Sequence, residues 1–121
     1  MRPEDYKYTR LGMCIIPCKA ISKSNSKTYN RRLDPKYAAF ENTVGMLTRA
    51  CFGQKQIVEG WLDVQLYFKE KRHIDVSNSL KSLLDGMVKG GSLKDDKMIA
   101  CSVFPAIYGN SEKIELTLWR K

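Results

Sequence analysis

Hydrophobic positions recur along this chain with two different periods. Near the start, "LGMCIIP" is a short apolar run stopped by Pro17, as expected of a buried strand ended by a residue that cannot donate to a ladder. Pro35 suits the first turn of a helix capped by Asp34, because proline lacks an N–H that would go unpaired there. Tyr37, Phe40, Val44, Leu47 and Cys51 then recur at helical spacing, and Gly53 ends the run. "IVEGWLDVQLYF" alternates instead, assigning Val58, Leu62, Val64, Leu66 and Phe68 to one face of a strand and Glu59, Trp61, Asp63, Gln65 and Tyr67 to the other. A second helix is predicted from about Val76 to Lys89, with Val76, Leu80, Leu83, Leu84 and Met87 as its apolar stripe and Gly90-Gly91 as its stop. The tail "MIACSVFPAIYGNSEKIELTLW" reads as two strands around "YGNSEK", with Ile114, Leu116 and Leu118 alternating against Glu115, Thr117 and Trp119. The order β-α-β-α-β-β predicts an α+β fold: a single domain over residues 1–121, with a mixed sheet and helices mainly on one face.

Length agrees, since 121 residues suffice for one core and are too few for two ordinary domains. Charge adds a partner. A net charge of +8 and a pI of 9.4 favour a polyanion, of which nucleic acid is the commonest. Much of that charge falls between the first strand and the first helix, about residues 18–36, where Lys19, Lys23, Lys27, Arg31, Arg32 and Lys36 are opposed only by Asp34. Ser, Asn and Tyr29 are interleaved there, neither period holds, and so a long basic loop is predicted. Cys14, Cys18, Cys51 and Cys101, with His73 as the single histidine, have no zinc-site spacing. Cys14, Cys51 and Cys101 lie in apolar runs and are expected to be buried, reduced thiols. Neither a signal peptide nor a membrane span is apparent, so the protein is expected in the cytoplasm.

Candidate chemistry lies around the second helix. Asp75 stands where an N-cap belongs, and a plain cap explains it as well as a functional carboxylate does. Asn78, Lys81, Ser82, Asp85 and Lys89 fall opposite the leucines, where a solvated face with Lys81 and Asp85 as an i,i+4 pair also accounts for them. Asp95 and Asp96 follow the glycines. The helix carries the chain roughly 15 to 20 Å from Asp75. The residues from Gly90 to Asp96 return about 20 Å if nearly extended, so the ends meet with little slack. If they meet, Asp75 and one aspartate of the pair offer Mg²⁺ the hard oxygens it prefers. Such an ion neutralises charge on a scissile phosphate, and Lys81 can act as a point charge on the leaving oxygen.

The arrangement D-x-S-N-x-x-K-x-x-x-D from Asp75 to Asp85, followed by G-x-L-x-D-D-x-x-I from Gly91 to Ile99, resembles the RusA Holliday-junction resolvases, small dimeric endonucleases of bacteria and their phages. A first strand ending in proline, a basic Ser/Asn-rich loop and a helix opening near Pro35 are similar more loosely. The resemblance implies a Mg²⁺-dependent endodeoxyribonuclease, with Mn²⁺ as a substitute, that resolves four-way DNA junctions in recombination and repair by paired symmetric nicks as a homodimer. It places the metal on Asp75 and Asp96, with Asp95 a further candidate, and the catalytic lysine on Lys81; Asn78 and Asp85 support them. Lys19, Lys23, Lys27, Arg31, Arg32, Lys69, Lys71, Arg72 and His73 are the phosphate-binding candidates, and Tyr29 can stack on an unpaired base. One position departs: the family carries a second acidic residue where this chain has Ser77, and a hydroxyl is a weaker Mg²⁺ ligand than a carboxylate. The alternative is therefore a junction-binding protein on the same scaffold that does not cut. A basic RNA-binding protein, with the aspartates as caps and solvated charges, is a third reading.

Overall fold

The computed structural model describes residues 2–21, 35–70 and 76–121; Val76 and Asn78 are described in backbone only. After a 3-10 turn at Pro3–Tyr6, the elements are β1 (Thr9–Ile16), α1 (Pro35–Phe52), β2 (Ile57–Phe68), α2 (Val76–Gly90), β3 (Leu93–Val103), β4 (Ile107–Tyr108) and β5 (Lys113–Arg120). They form one α+β unit with a mixed sheet in the order β1-β5-β2-β3; the short β4 also pairs with β2. β5 is antiparallel to both β1 and β2, whereas β3 and β4 run parallel to β2.

Both helices cover one face of the sheet. Cys14, Ile16, Leu62, Val64, Leu66, Phe68, Ile114, Leu116 and Leu118 pack there against Phe40, Val44, Leu83 and Met87. Each large apolar side chain so buried contributes about 1.5–3 kcal/mol relative to solvent. The two tail strands do not form a hairpin. β5 lies between β1 and β2, where its three inward residues, all 0% exposed, have sheet on both sides.

Several positions differ from the hydrophobic pattern. Val58 is 53% exposed while Ile57 is buried, at the point where the ladder slips between Ile57 and Glu59; the expected inner face holds from Gly60 onward. Cys51 is exposed and Cys101 half-buried, which leaves Cys14 as the one buried thiol of the three expected. The buried stripe of α1 instead runs through Val44, Gly45, Thr48 and Phe52, because this helix faces α2 as well as the sheet. For the same reason Ser82, expected on a solvated face, is fully buried, and so is Ser79. Gly45, Gly86 and Gly90 let the two helix backbones touch: a Cβ on Gly90 would fall 2.6 Å from the Cα of Gly45. α2 closes in a Schellman turn, with Ser92 N–H donating to Met87 O, Gly91 N–H donating to Val88 O, and Gly91 at φ +90. The predicted cap Asp34 lies outside the described residues.

Candidate metal and DNA site

The segment from α2 to β3 decides where the acidic residues stand. α2 spans 15 residues, so Val76 and Gly90 are about 21 Å apart along its axis. At its C-terminal end, Gln56 N–H donates to Gly91 O at 3.0 Å and Ile57 N–H to Ser92 O at 2.9 Å, which pins that end to the start of β2. Leu93, 1% exposed, then pairs with Ile57. The next pair is Glu59 with Met98, so residues 94–97 bulge out of the ladder, and the Asp95 Oδ1 accepts the Lys97 N–H at 2.8 Å.

Between Leu93 and Met98 the chain therefore advances along the ladder by only two residues of β2. Leu93 is held against Ile57, and the bulge absorbs the remaining length. Two strand steps recover about 7 Å at most. Measured along the helix axis alone, the levels of Asp96 and Val76 differ by roughly 14 Å. Asp95 is half-buried and Asp96 exposed. Asp75, next to Val76 in the chain, lies outside the described residues, as do Lys23, Lys27, Tyr29, Arg31, Arg32, Lys71, Arg72, His73 and Asp34.

On α2, Ser77 is exposed in the first turn, Lys81 is exposed one turn later, and Asp85 is half-buried; the Asn78 side chain is not described. Lys19 and Lys69 are both exposed. Lys19 and Lys36, from either side of the basic segment, line one cavity of about 300 Å³ with Cys18, Ile21, Phe40 and Thr43. The Lys36 ammonium also lies 5.3 Å from the centre of the Tyr37 ring. A larger cavity, about 600 Å³, opens between α1 and α2 beside Asn42, Met46, Arg49 and Lys89 and contains none of the candidate residues.

Among the described residues, no group of three or more His, Cys, Asp or Glu side chains could by itself hold a metal ion. The donors at the bulge are nevertheless of the right kind for a hard cation. Burial, and after it the negative charge of Asp96, push the nearby Cys101 thiol up to about 11, which disfavours its thiolate beside the carboxylates.

Sequence reasoning also missed a carboxylate on the other face of the sheet. Asp63 is 6% exposed because the Pro3–Tyr6 turn covers it. Its Oδ2 accepts the Trp119 Nε1–H at 3.0 Å and lies 4.0 Å from Arg2 Nη2, while among the described residues Oδ1 has no partner. Beside it, Trp61 donates to Ser102 Oγ at 3.1 Å, Tyr6 stacks on the Trp61 ring at 5.9 Å, and Tyr8 meets that ring edge-on at 5.8 Å. The tyrosines of "DYKY" before the first strand were the available signal.

Comparison with known proteins adds one match. The family model described as endodeoxyribonuclease RusA fits residues 17–118 of the 121-residue chain, from the proline after β1 into β5, and so includes every candidate residue above. Comparison with curated proteins gives no match.

Proposed function

The chain belongs to the RusA family of endodeoxyribonucleases, and on that premise we propose that it is a divalent-metal-dependent nuclease that resolves four-way DNA junctions as a homodimer. The family's reaction is the resolution of Holliday junctions. The observation that carries the reading to particular residues is the acidic bulge at Asp95 and Asp96, presented at the surface of a chain whose net charge is +8. Carboxylates exposed on a basic protein are misplaced for gripping DNA and well placed for holding a cation against it.

Asp75 and Asp96, with Asp95, would hold Mg²⁺ or Mn²⁺. Bound there, the ion would neutralise charge building on the scissile phosphate. Lys81, exposed one turn into α2, would direct its ammonium at the oxygen that leaves as the P–O bond breaks. Lys19, Lys69 and the basic residues of 22–34 and 71–73 would hold the sugar-phosphate backbone, with an affinity that falls steeply as salt rises. The length of α2 supports a dimer, because the two groups of aspartates flank opposite ends of a 15-residue helix and can share an ion readily only if they come from different copies. Two such sites related by a twofold axis match two symmetric nicks.

Ser77 favours a second reading. Exposed in the first turn of α2, it puts a neutral hydroxyl where the family has an acid, which weakens the hold on the ion and allows a protein that binds junctions without cutting them. A labelled synthetic four-way junction, incubated with Mg²⁺ or EDTA and run beside a gel shift, separates the two. Paired nicks only with Mg²⁺, lost in Asp75→Asn and Asp96→Asn while binding persists, are expected of the nuclease. Undiminished cutting in both variants sinks the metal assignment. If binding is tight and nothing is cut, Ser77→Asp should restore nicking.

A further inference from the structure

Four thiols are spread through the chain, and two of them meet. Cys14 points from β1 toward the helices, where it is 2% exposed, and its Sγ–H donates to the Leu47 carbonyl oxygen at 3.5 Å. Inside α1 that same oxygen accepts the N–H of Cys51, four residues further on. A helical side chain leans toward the N-terminus of its helix, which carries the Cys51 sulfur back over Leu47 and so onto Cys14. The two thiols share a hydrogen bond. Cys51 is exposed, so one sulfur of the pair faces solvent and the other lies beneath it. The remaining thiols have other surroundings: Cys18 lines the cavity of Lys19 and Lys36, and Cys101 feels the charge of Asp96.

Such a pair divides a two-step oxidation between its members. We propose that Cys51 and Cys14 form an oxidative modification site, which takes hydrogen peroxide as its oxidant and ends as an intramolecular disulfide. In the first step the Cys51 thiolate attacks one peroxide oxygen, the O–O bond breaks, hydroxide leaves, and Cys51 becomes a sulfenic acid. In the second the Cys14 sulfur attacks the Cys51 sulfur and the S–O bond breaks. The departing hydroxyl takes the proton that Cys14 gives up and leaves as water. Two thiols are oxidised and one peroxide is reduced, so no further reactant is needed. Burial disfavours the Cys14 thiolate and shields it from peroxide, which leaves the first attack to Cys51.

The bond closes a loop over residues 15–50, which holds all of the basic segment 18–36. It fastens the last turn of α1 to β1, the two elements that flank that segment. A crosslink over so long a loop restricts the unfolded chain far more than the folded one, where the two thiols are already in contact. Oxidation therefore stabilises the fold without rearranging it, and excess thiol reverses the change. β1 stands at the opposite edge of the sheet from β3 and its aspartates, so the inference is independent of the nuclease reading.

The test treats the reduced full chain with a small excess of hydrogen peroxide and follows intact mass, crosslinked peptides and thermal melting. Wild type should lose about 2 Da, yield a peptide linking Cys14 to Cys51, and melt at least about 5 °C higher, all reversed by dithiothreitol. Cys51→Ser, changed at an exposed position, should keep its mass and its Tm under the same treatment. Cys14→Val should stop at the sulfenic acid on Cys51, trapped as a dimedone adduct that wild type, resolved by Cys14, does not accumulate. A wild type that keeps its mass, or gains oxygen instead of losing hydrogen, overturns the proposal. So does a disulfide from Cys51 to Cys18, to Cys101 or to a second chain. A Cys14–Cys51 bond that lowers Tm also overturns it, because the sulfurs would then have to be drawn together against the fold.

Discussion

Replacing Gly90 by alanine should destabilise the protein, and the geometry sets the size of the effect. Carbon atoms pack favourably at about 3.5–4.0 Å. The added Cβ would lie 2.6 Å from the Gly45 Cα, and its other near neighbours belong to the same backbone, so no side-chain rotation relieves an overlap of about 1 Å. α1 must move away from α2. Overpacking of this kind costs about 1–3 kcal/mol, of which the better helix propensity of alanine offsets at most about 1 kcal/mol. Because the overlap is with backbone that no rotamer can clear, the cost lies in the upper part of that range, and a net of about 1–2 kcal/mol in a domain of this size corresponds to a fall in Tm of roughly 4–8 °C. Gly45→Ala and Gly86→Ala, whose Cβ atoms would lie 2.8 Å from the Gly86 carbonyl oxygen and from the Val44 Cβ, should also lower Tm; Gly109→Ala, with nothing within 4 Å, should not. Thermal melts followed by circular dichroism and repeated in urea measure the series. A Gly90→Ala protein that melts within a degree of wild type would show that the helices do not cross at these glycines.

Two further outcomes follow from the site and the core. Mixing Asp75→Asn with Asp96→Asn subunits should restore single-strand nicking that neither variant has alone, because one of the two shared sites in a mixed dimer keeps both carboxylates; sites built within one chain would recover nothing. Burial first, and then contact with Cys51, push the Cys14 thiol from 9.0 up to about 12. A thiol whose ionisation is delayed by folding contributes stability that is fully present below pH 9 and lost as pH climbs toward 12. The urea midpoint of wild type should therefore fall more steeply above pH 9 than that of Cys14→Val, and parallel curves would refute the assignment.

Where an element depends on its own periodicity, the sequence was readable. Leu62, Val64, Leu66 and Phe68 in β2, and Leu83 and Met87 in α2, lie where their spacing puts them. Features imposed by a distant neighbour were hidden. The exposure of Val58 comes from a slip against β3, the burial of Ser82 from the crossing with α1, and that of Asp63 from a turn far upstream. The same holds at the candidate site. Asp95 and Asp96 were identifiable from composition and motif, but the bulge that keeps Asp96 at the far end of α2 exists because Leu93 must pair with Ile57, a contact across the whole α2 crossover.

The central position of β5 has a consequence for how the protein is made. Among the described residues β1 pairs with no strand but β5, through contacts that run from Thr9 to Arg120, so this part of the sheet cannot close before residues 113–120 have left the ribosome. Until then β1 lacks its strand partner, and contacts of such sequence separation make folding slow. The nascent chain passes its basic segment and its aspartates into the cell before it has a scaffold to align them. Until the last strand emerges, half of the core stays exposed, the state in which a nascent chain is most prone to associate wrongly.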